Sequence, residues 1–231
     1  MSRPDRIGRR PSSLDMGRAE RALVQLAAML AVLAGFINAV GFLAFGDVFL
    51  ASPEANATVL GATLPGSVAI AQFAAGMVVS FVGGVVLVTL VTHRSGRYRR
   101  TTILFCTVFA LTGAYLAFRL NVAIIPAVLL AMAMGAAHCL FGKDDPDLQE
   151  AMSPSAQIVR FGEALAGGRH GVNHRQLGLH ASFWLAFLIG GIAGAGVWIA
   201  LDALSFALAA SVAGLLTMRT WLIERDLLPA E

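Results

Sequence analysis

Residues 51–64 read ASPEANATVLGATL, a half-polar stretch set between long apolar runs. About a hundred residues later, MSPSAQIVRFGEAL at 152–165 follows the same plan, with Ser-Pro at the start and Gln157 where the first copy has Asn56. Serine suits a helix N-cap and proline the first helical position, so Ser52-Pro53 and Ser153-Pro154 each predict a helix with a firm start. From Pro53 to Leu64 such a helix is about 18 Å long at 1.5 Å per residue, too short for the ~30 Å of bilayer hydrocarbon. Each is expected to lie in the interface or to dip back into the protein.

The surrounding composition is that of an integral membrane protein. Hydrophobic residues make up 57% of the 231 and charged residues 13%, against about 45–50% and about 25% in soluble domains. Mean hydropathy is +0.74. No Lys or Arg lies between Ala22 and Thr92. A net charge of +3 does not argue for nucleic acid here, because membrane proteins gather Arg in cytoplasmic loops. Cys106 and Cys139 fall inside apolar runs and read as small core residues rather than a disulfide.

Residues 1–19 are polar and Arg-rich and are expected to form a disordered cytoplasmic tail. Arg9-Arg10 is followed by PSSLDMG, which is not apolar, so it does not read as an export signal. The apolar run after it is too long for a cleaved signal and is expected to remain as the first span. Six runs are long enough to cross: 22–45, 68–92, 101–118, 123–141, 179–201 and 203–222. All should be helical, since unpaired backbone cannot face lipid. With the N-terminus inside, every one of the 17 Lys and Arg except Arg119 falls on the cytoplasmic side. That distribution predicts six spans with both termini cytoplasmic.

The echo extends beyond the Ser-Pro segments. GFINAVGFLAFG (35–46) is shadowed by GAAHCLFG (135–142), pairing Gly35 with Gly135 and Asn38 with His138. FVGGVV (81–86) matches LIGGIA (188–193), so the offset runs 100, 101 and 107. The expected fold is an all-α bundle of six transmembrane helices in one membrane domain, 20–222. Repeat one covers about 20–120 and repeat two about 121–222, with 223–231 as a cytoplasmic tail. Three crossings per repeat make the second copy enter from the opposite face, so the repeats are inverted. That arrangement recurs in secondary transporters, whose sites use short or interrupted helices near mid-membrane. A half-helix N-terminus offers N–H groups and partial positive charge to an anion or polar solute.

Asn38 and His138 are polar groups within spans, where such side chains usually face the bundle interior. They read either as a solute or proton site or as helix–helix hydrogen bonds, the latter worth about 0.6 kcal/mol. His138 is the foremost titrating candidate. Glu54, Asn56, Gln157, Arg160 and Glu163 belong to the short helices, where they either line a polar cavity or sit solvated at the interface. Arg160 and Glu163, three apart, suit a pair on one face. His170, His174 and His180 invite a metal reading that Gly167, Gly168 and Gly171 oppose, since these argue against a helix, so no metal site is expected. KDDPDLQE (143–150) reads as a charged turn rather than a calcium loop. Gly83, Gly84, Gly190, Gly191 and Gly194 permit close helix contact, within the monomer first and in a homodimer second. No serine-hydrolase elbow, zinc-protease motif or phosphate-binding glycine loop is present. No enzyme activity and no cofactor are expected.

AGFINAVGFLAFGDVFLASPEANATVLG, AMAMGAAHCL and VRFGEALAGG together resemble the YoaK-like family of bacterial multi-pass membrane proteins, over roughly residues 20–222. The resemblance implies an inner-membrane protein and little about activity. Relatives show Thr/Ser-Gly-Asn where this chain has Glu54-Ala55-Asn56, and Thr-Gly-Thr where it has Ser155-Ala156-Gln157. An acid common in the first-span motif is Asn38 here, and a Gln-Asn pair of the fourth span is Ala137-His138. The functional expectation is a carrier or channel for a small polar or anionic solute, in contact with lipid and not with nucleic acid. A non-transporting scaffold or sensor is the alternative, and a Ser/His intramembrane hydrolase the weakest reading.

Overall fold

The computed structural model describes residues 13–46, 48–142, 145–167, 172 and 174–226. The outermost parts of the expected tails, residues 1–12 and 227–231, lie outside these, as do His170, Gly168 and Gly171. Among the described residues the chain is all helix, with no strand. The order is α1 (Ser13–Phe45), α2 (Pro53–Thr63), α3 (Val68–Thr92), α4 (Arg99–Arg119), α5 (Ile125–His138), α6 (Pro146–Gln149), α7 (Pro154–Ala166), α8 (His174–Leu201) and α9 (Leu204–Asp226). Both tail boundaries move: α1 already begins at Ser13, and α9 runs through 222 to Asp226.

Five helices, α1, α3, α4, α8 and α9, are long and apolar enough to cross a membrane, with the 3-10 turn Gly96–Tyr98 extending α4 at its start. The run expected to supply a further span forms only the 14 residues of α5, roughly 21 Å at 1.5 Å per residue and short of a bilayer. Helix formation stops at His138, and Arg99 takes over the carbonyls left behind. Its Nη2 donates to the Cys139 carbonyl at 2.8 Å and its Nη1 to that of Leu140 at 3.4 Å. A guanidinium at a helix C-terminus complements both the free carbonyls and the macrodipole. The two short helices start where the Ser-Pro pairs place them, with Pro53 and Pro154 in the first turn. Neither serine hydroxyl caps its helix, however. In the first copy the hydroxyl has another partner, described below.

The long helices do not pack within their own halves of the chain. α1 lies chiefly on α8, and α5 chiefly on α3 and α4, while α4 pairs with α9. Missing side chains allow the first two of these contacts. A Cβ built on Gly190 would fall 2.0 Å from the Val32 carbonyl oxygen, and one on Gly35 2.0 Å from that of Phe187. The same contact is made between α3 and α5. There Gly84 faces the Met132 carbonyl and Gly135 that of Phe81, each at 2.1 Å from the built Cβ. Gly194 adds a close approach to Phe36. Val32–Gly190 and Phe36–Gly194 step together along both helices, so α1 and α8 run in the same direction.

The sequence match set Gly83 against Gly190 and Gly84 against Gly191 at an offset of 107, but the glycines that make these close contacts are Gly84 and Gly190, which are 106 apart. A Cβ on Gly83 meets nothing within 4 Å, and one on Gly191 meets only the Gly35 carbonyl at an ordinary 3.7 Å.

The two ends of the bundle differ in chemistry. At one, Phe45, Phe118, Trp198 and Phe206 from α1, α4, α8 and α9 form an aromatic cluster with ring centroids 5.1–6.5 Å apart. At the other, α4 begins and α9 ends among arginines. Glu224 of α9, 1% exposed, accepts from the backbone N–H groups of Arg100 at 2.9 Å and Thr101 at 3.1 Å and from the Thr101 hydroxyl. In return Arg97 donates to the carbonyls of Glu224, at 2.7 Å, and Arg225. Each helix end thus supplies the cap of the other. Arg100 also pairs with Asp145 at 2.6 Å, tying α4 to the segment after α5.

Gly190→Ala or Gly84→Ala is expected to lower the thermal stability of the purified protein by an overpacking term of about 1–3 kcal/mol or more. Gly83→Ala should leave it unchanged or raise it slightly, and an equal loss in that control would contradict the packing. Glu224→Ala removes a buried charged acceptor from two helix-end N–H groups, and hydrogen bonds to charged groups are worth roughly 1.5–3 kcal/mol. A loss of that size in a thermal or denaturant titration is expected.

Candidate functional site

The polar residues of the two Ser-Pro segments are not scattered through a cavity. They hold the turns in front of the short helices. Asn38, in α1, uses both ends of its amide: Nδ2 donates to Ser52 Oγ at 2.7 Å, and Oδ1 accepts the Ala51 N–H at 2.6 Å. Asn56, in α2, accepts the Phe49 N–H at 2.8 Å and donates to the Phe49 carbonyl. Two asparagines from two helices therefore clasp residues 49–52, and both are buried. Buried backbone groups outside regular structure need such partners, because an unpaired one costs roughly 1–3 kcal/mol.

The second copy repeats half of this arrangement. Gln157 Nε2 donates to the Glu150 carbonyl at 2.7 Å, reaching back seven residues as Asn56 does to Phe49. Its amide oxygen does not meet the Glu150 N–H. It meets His180 Nδ1 of α8 at 2.8 Å. Because the Glu150 carbonyl can only accept, the orientation of the Gln157 amide follows, and His180 must carry its proton on Nδ1 toward that oxygen. Both side chains are buried. His180, which sequence reasoning weighed only as a metal ligand, is thus the link between α7 and α8. His174 is exposed at the start of α8. Among the described residues no group of three or more His, Cys, Asp or Glu could hold a metal ion.

His138 is not joined to Asn38. Its Nδ1 donates to the Met134 carbonyl of its own helix at 2.8 Å, and its ring stands edge-on to Phe81 with centroids 5.1 Å apart. Glu54 lies exposed in the first turn of α2. That carboxylate already complements the positive end of α2. The first turn of α7 has no acid. On the outer face of α7, Arg160 reaches Glu150 at 3.4 Å and Glu163 at 4.0 Å, all well exposed. Such surface pairs contribute about 0–1 kcal/mol.

Between α7 and α8 lies a cavity of about 380 Å³, lined by Gln157, Ile158, Phe161, Ala181, Trp184 and Leu185. Its wall is apolar except for the Gln157 side chain, whose amide is turned toward Glu150 and His180. The cavity lies in the α7–α8 seam beside the Gln157–His180 contact.

Residues 26–219 match the family described as "Protein of unknown function (DUF1275)". This chain belongs to that family. The YoaK-like resemblance is consistent with the match. No curated protein and no solved structure matches the chain. In this DUF1275 member, the residues brought together are Asn38 with Ser52, Asn56 with Phe49, and Gln157 with His180. Sequence reasoning missed Arg97, Arg99 and Glu224, whose partners are distant in the chain.

Asn56→Asp keeps an acceptor for the Phe49 N–H but sets a second oxygen against the Phe49 carbonyl. It is expected to destabilise the protein by about 1–3 kcal/mol and to speed amide exchange at residues 49–52, read by hydrogen exchange. Unchanged exchange there would contradict the clasp.

Proposed function

We propose that this protein is a bacterial inner-membrane carrier or channel for a small polar or anionic solute, built from two inverted three-crossing repeats. The observation that carries the reading is the doubled glycine contact. Val32–Gly190 with Gly35–Phe187, and Met132–Gly84 with Gly135–Phe81, are one contact made twice between corresponding residues. Each first helix leaves its own repeat and docks on the second long helix of the other. The outcome is two groups of helices, α1 with α7 and α8, and α5 with α2, α3 and α4, each drawn from both repeats and joined through the packing of α9 on α4 and α1. In carriers of this architecture one such group rocks against the other around a site near mid-membrane.

On this reading α5 and the unwound segment after it together make the sixth crossing. Non-helical backbone at membrane depth is tolerated where protein surrounds it, and α5 is buried along most of its length. The arginine end is cytoplasmic by the positive-inside rule, as are both termini. Solute recognition falls to the second short helix, whose first turn lacks an acid and whose Gln157–His180 pair borders the cavity. A membrane scaffold or sensor is favoured by a different observation: both ends of the Asn38 and Asn56 amides are engaged by the turn before α2.

Flux of a panel of small anions and neutral polar solutes into proteoliposomes separates these readings. Saturable uptake of at least one solute is expected, with Gln157→Leu lowering it about tenfold or more, the equivalent of 1.36 kcal/mol in barrier height. No uptake across the panel by folded protein would favour the scaffold.

A further inference from the structure

The two halves follow one sequence plan but stand in different states. α1 continues through Asn38 for about two more turns to Phe45, whereas α5 stops at His138, the equivalent position. Asn38 reaches forward to the turn before α2, at Ala51 and Ser52. Among the described residues His138 makes no hydrogen bond to the matching turn at Met152 and Ser153, and donates instead to Met134 one turn behind it. Ser153 stands at the start of α7 without capping it. Arg99 meanwhile holds the unwound carbonyls of Cys139 and Leu140.

We propose that His138 is a movable latch, which can exchange the Met134 carbonyl for the Met152–Ser153 turn and so close the second half as Asn38 closes the first. The inference rests on the inverted-repeat reading: if the halves are equivalent, the arrangement seen in one is open to the other. The chemistry permits it. A neutral imidazole offers one N–H and one lone pair, the same two functions that Asn38 uses on Ser52 Oγ and the Ala51 N–H. Ser153 and Met152 present the corresponding hydroxyl and N–H. In closing, the ring leaves Phe81, and the second short helix becomes tied to α5 as well as to α8. Asn in place of His138 has the side chain that already makes this clasp in the first half.

Hydrogen exchange on the full-length protein in lipid nanodiscs tests the latch without any solute. His138→Asn should slow exchange at 150–153 about tenfold, the effect of one hydrogen bond of roughly 1.4 kcal/mol. Asn38→Ala should speed exchange at 49–52 by a similar factor, and His138→Ala, which cannot close, should exchange faster than wild type at 150–153. Unaltered exchange in His138→Asn, or wild-type or slower exchange in His138→Ala, would overturn the proposal. If His138→Asn does not fold, a cysteine pair at 138 and 153, with Cys106→Ala and Cys139→Ala, serves instead. A disulfide needs Cα atoms within about 7 Å, so oxidative cross-linking of that pair is expected, and its absence would overturn the latch. Flux is a separate reading: a latch seen by exchange in a protein that transports nothing would reject the carrier and keep the latch.

Discussion

A peptide carbonyl laid directly on a glycine Cα is the contact on which this bundle depends. In lipid, one apolar helix gains little by leaving acyl chains for another helix, so association rests on close packing. Gly35, Gly84, Gly135, Gly190 and Gly194 remove the side chains that would hold the backbones apart. That exchange places α1 against α8 and α5 against α3, and the short helices follow. α2 packs on α3 and α7 on α8. The polar clasps tie the short helices to their neighbours, Asn38 of α1 holding the turn before α2 and Gln157 of α7 meeting His180 of α8.

The two ends of the bundle reach stability by different routes. The aromatic cluster around Phe206 is non-directional, and it gains from ring geometry as well as burial. The reciprocal caps between α4 and α9 are directional. Glu224 accepts from N–H groups at the start of α4, and Arg97 donates to carbonyls at the end of α9. An exposed ion pair would add little in this setting, but a buried carboxylate accepting from helix-end N–H groups is of a different order.

Much of this was legible in the chain. Apolar run length and the near absence of charge specify helices in a membrane, and Ser-Pro marks the start of each short helix. The recurrence of Asn56 as Gln157 points to a shared task, which proves to be a grip on the carbonyl seven residues earlier. What stayed hidden has physical reasons. A Gly-Gly pair looks the same in two registers, and the glycines that make the close contacts, Gly84 and Gly190, are one residue off the sequence match. The 14-residue length of α5 is invisible because the apolar run continues past its end. The halt at His138 is stabilised by Arg99 on another helix. Asn38 and His138 resemble each other as lone polar groups in apolar helices, yet one faces forward and the other back. Glu224 is a charge at a helix end, unremarkable without the α4 terminus it covers.

The crossed docking of the first helices also constrains how the molecule can be made. Val32 cannot meet Gly190 until nearly the whole chain has left the ribosome, so α1 enters the bilayer long before its binding face can be filled. The α3–α5 contact, closer in sequence, has no such delay. Synthesis therefore imposes an order, in which one half assembles early around Met132 and the N-terminal helix waits, its glycine face against lipid, for a strand of the chain not yet translated.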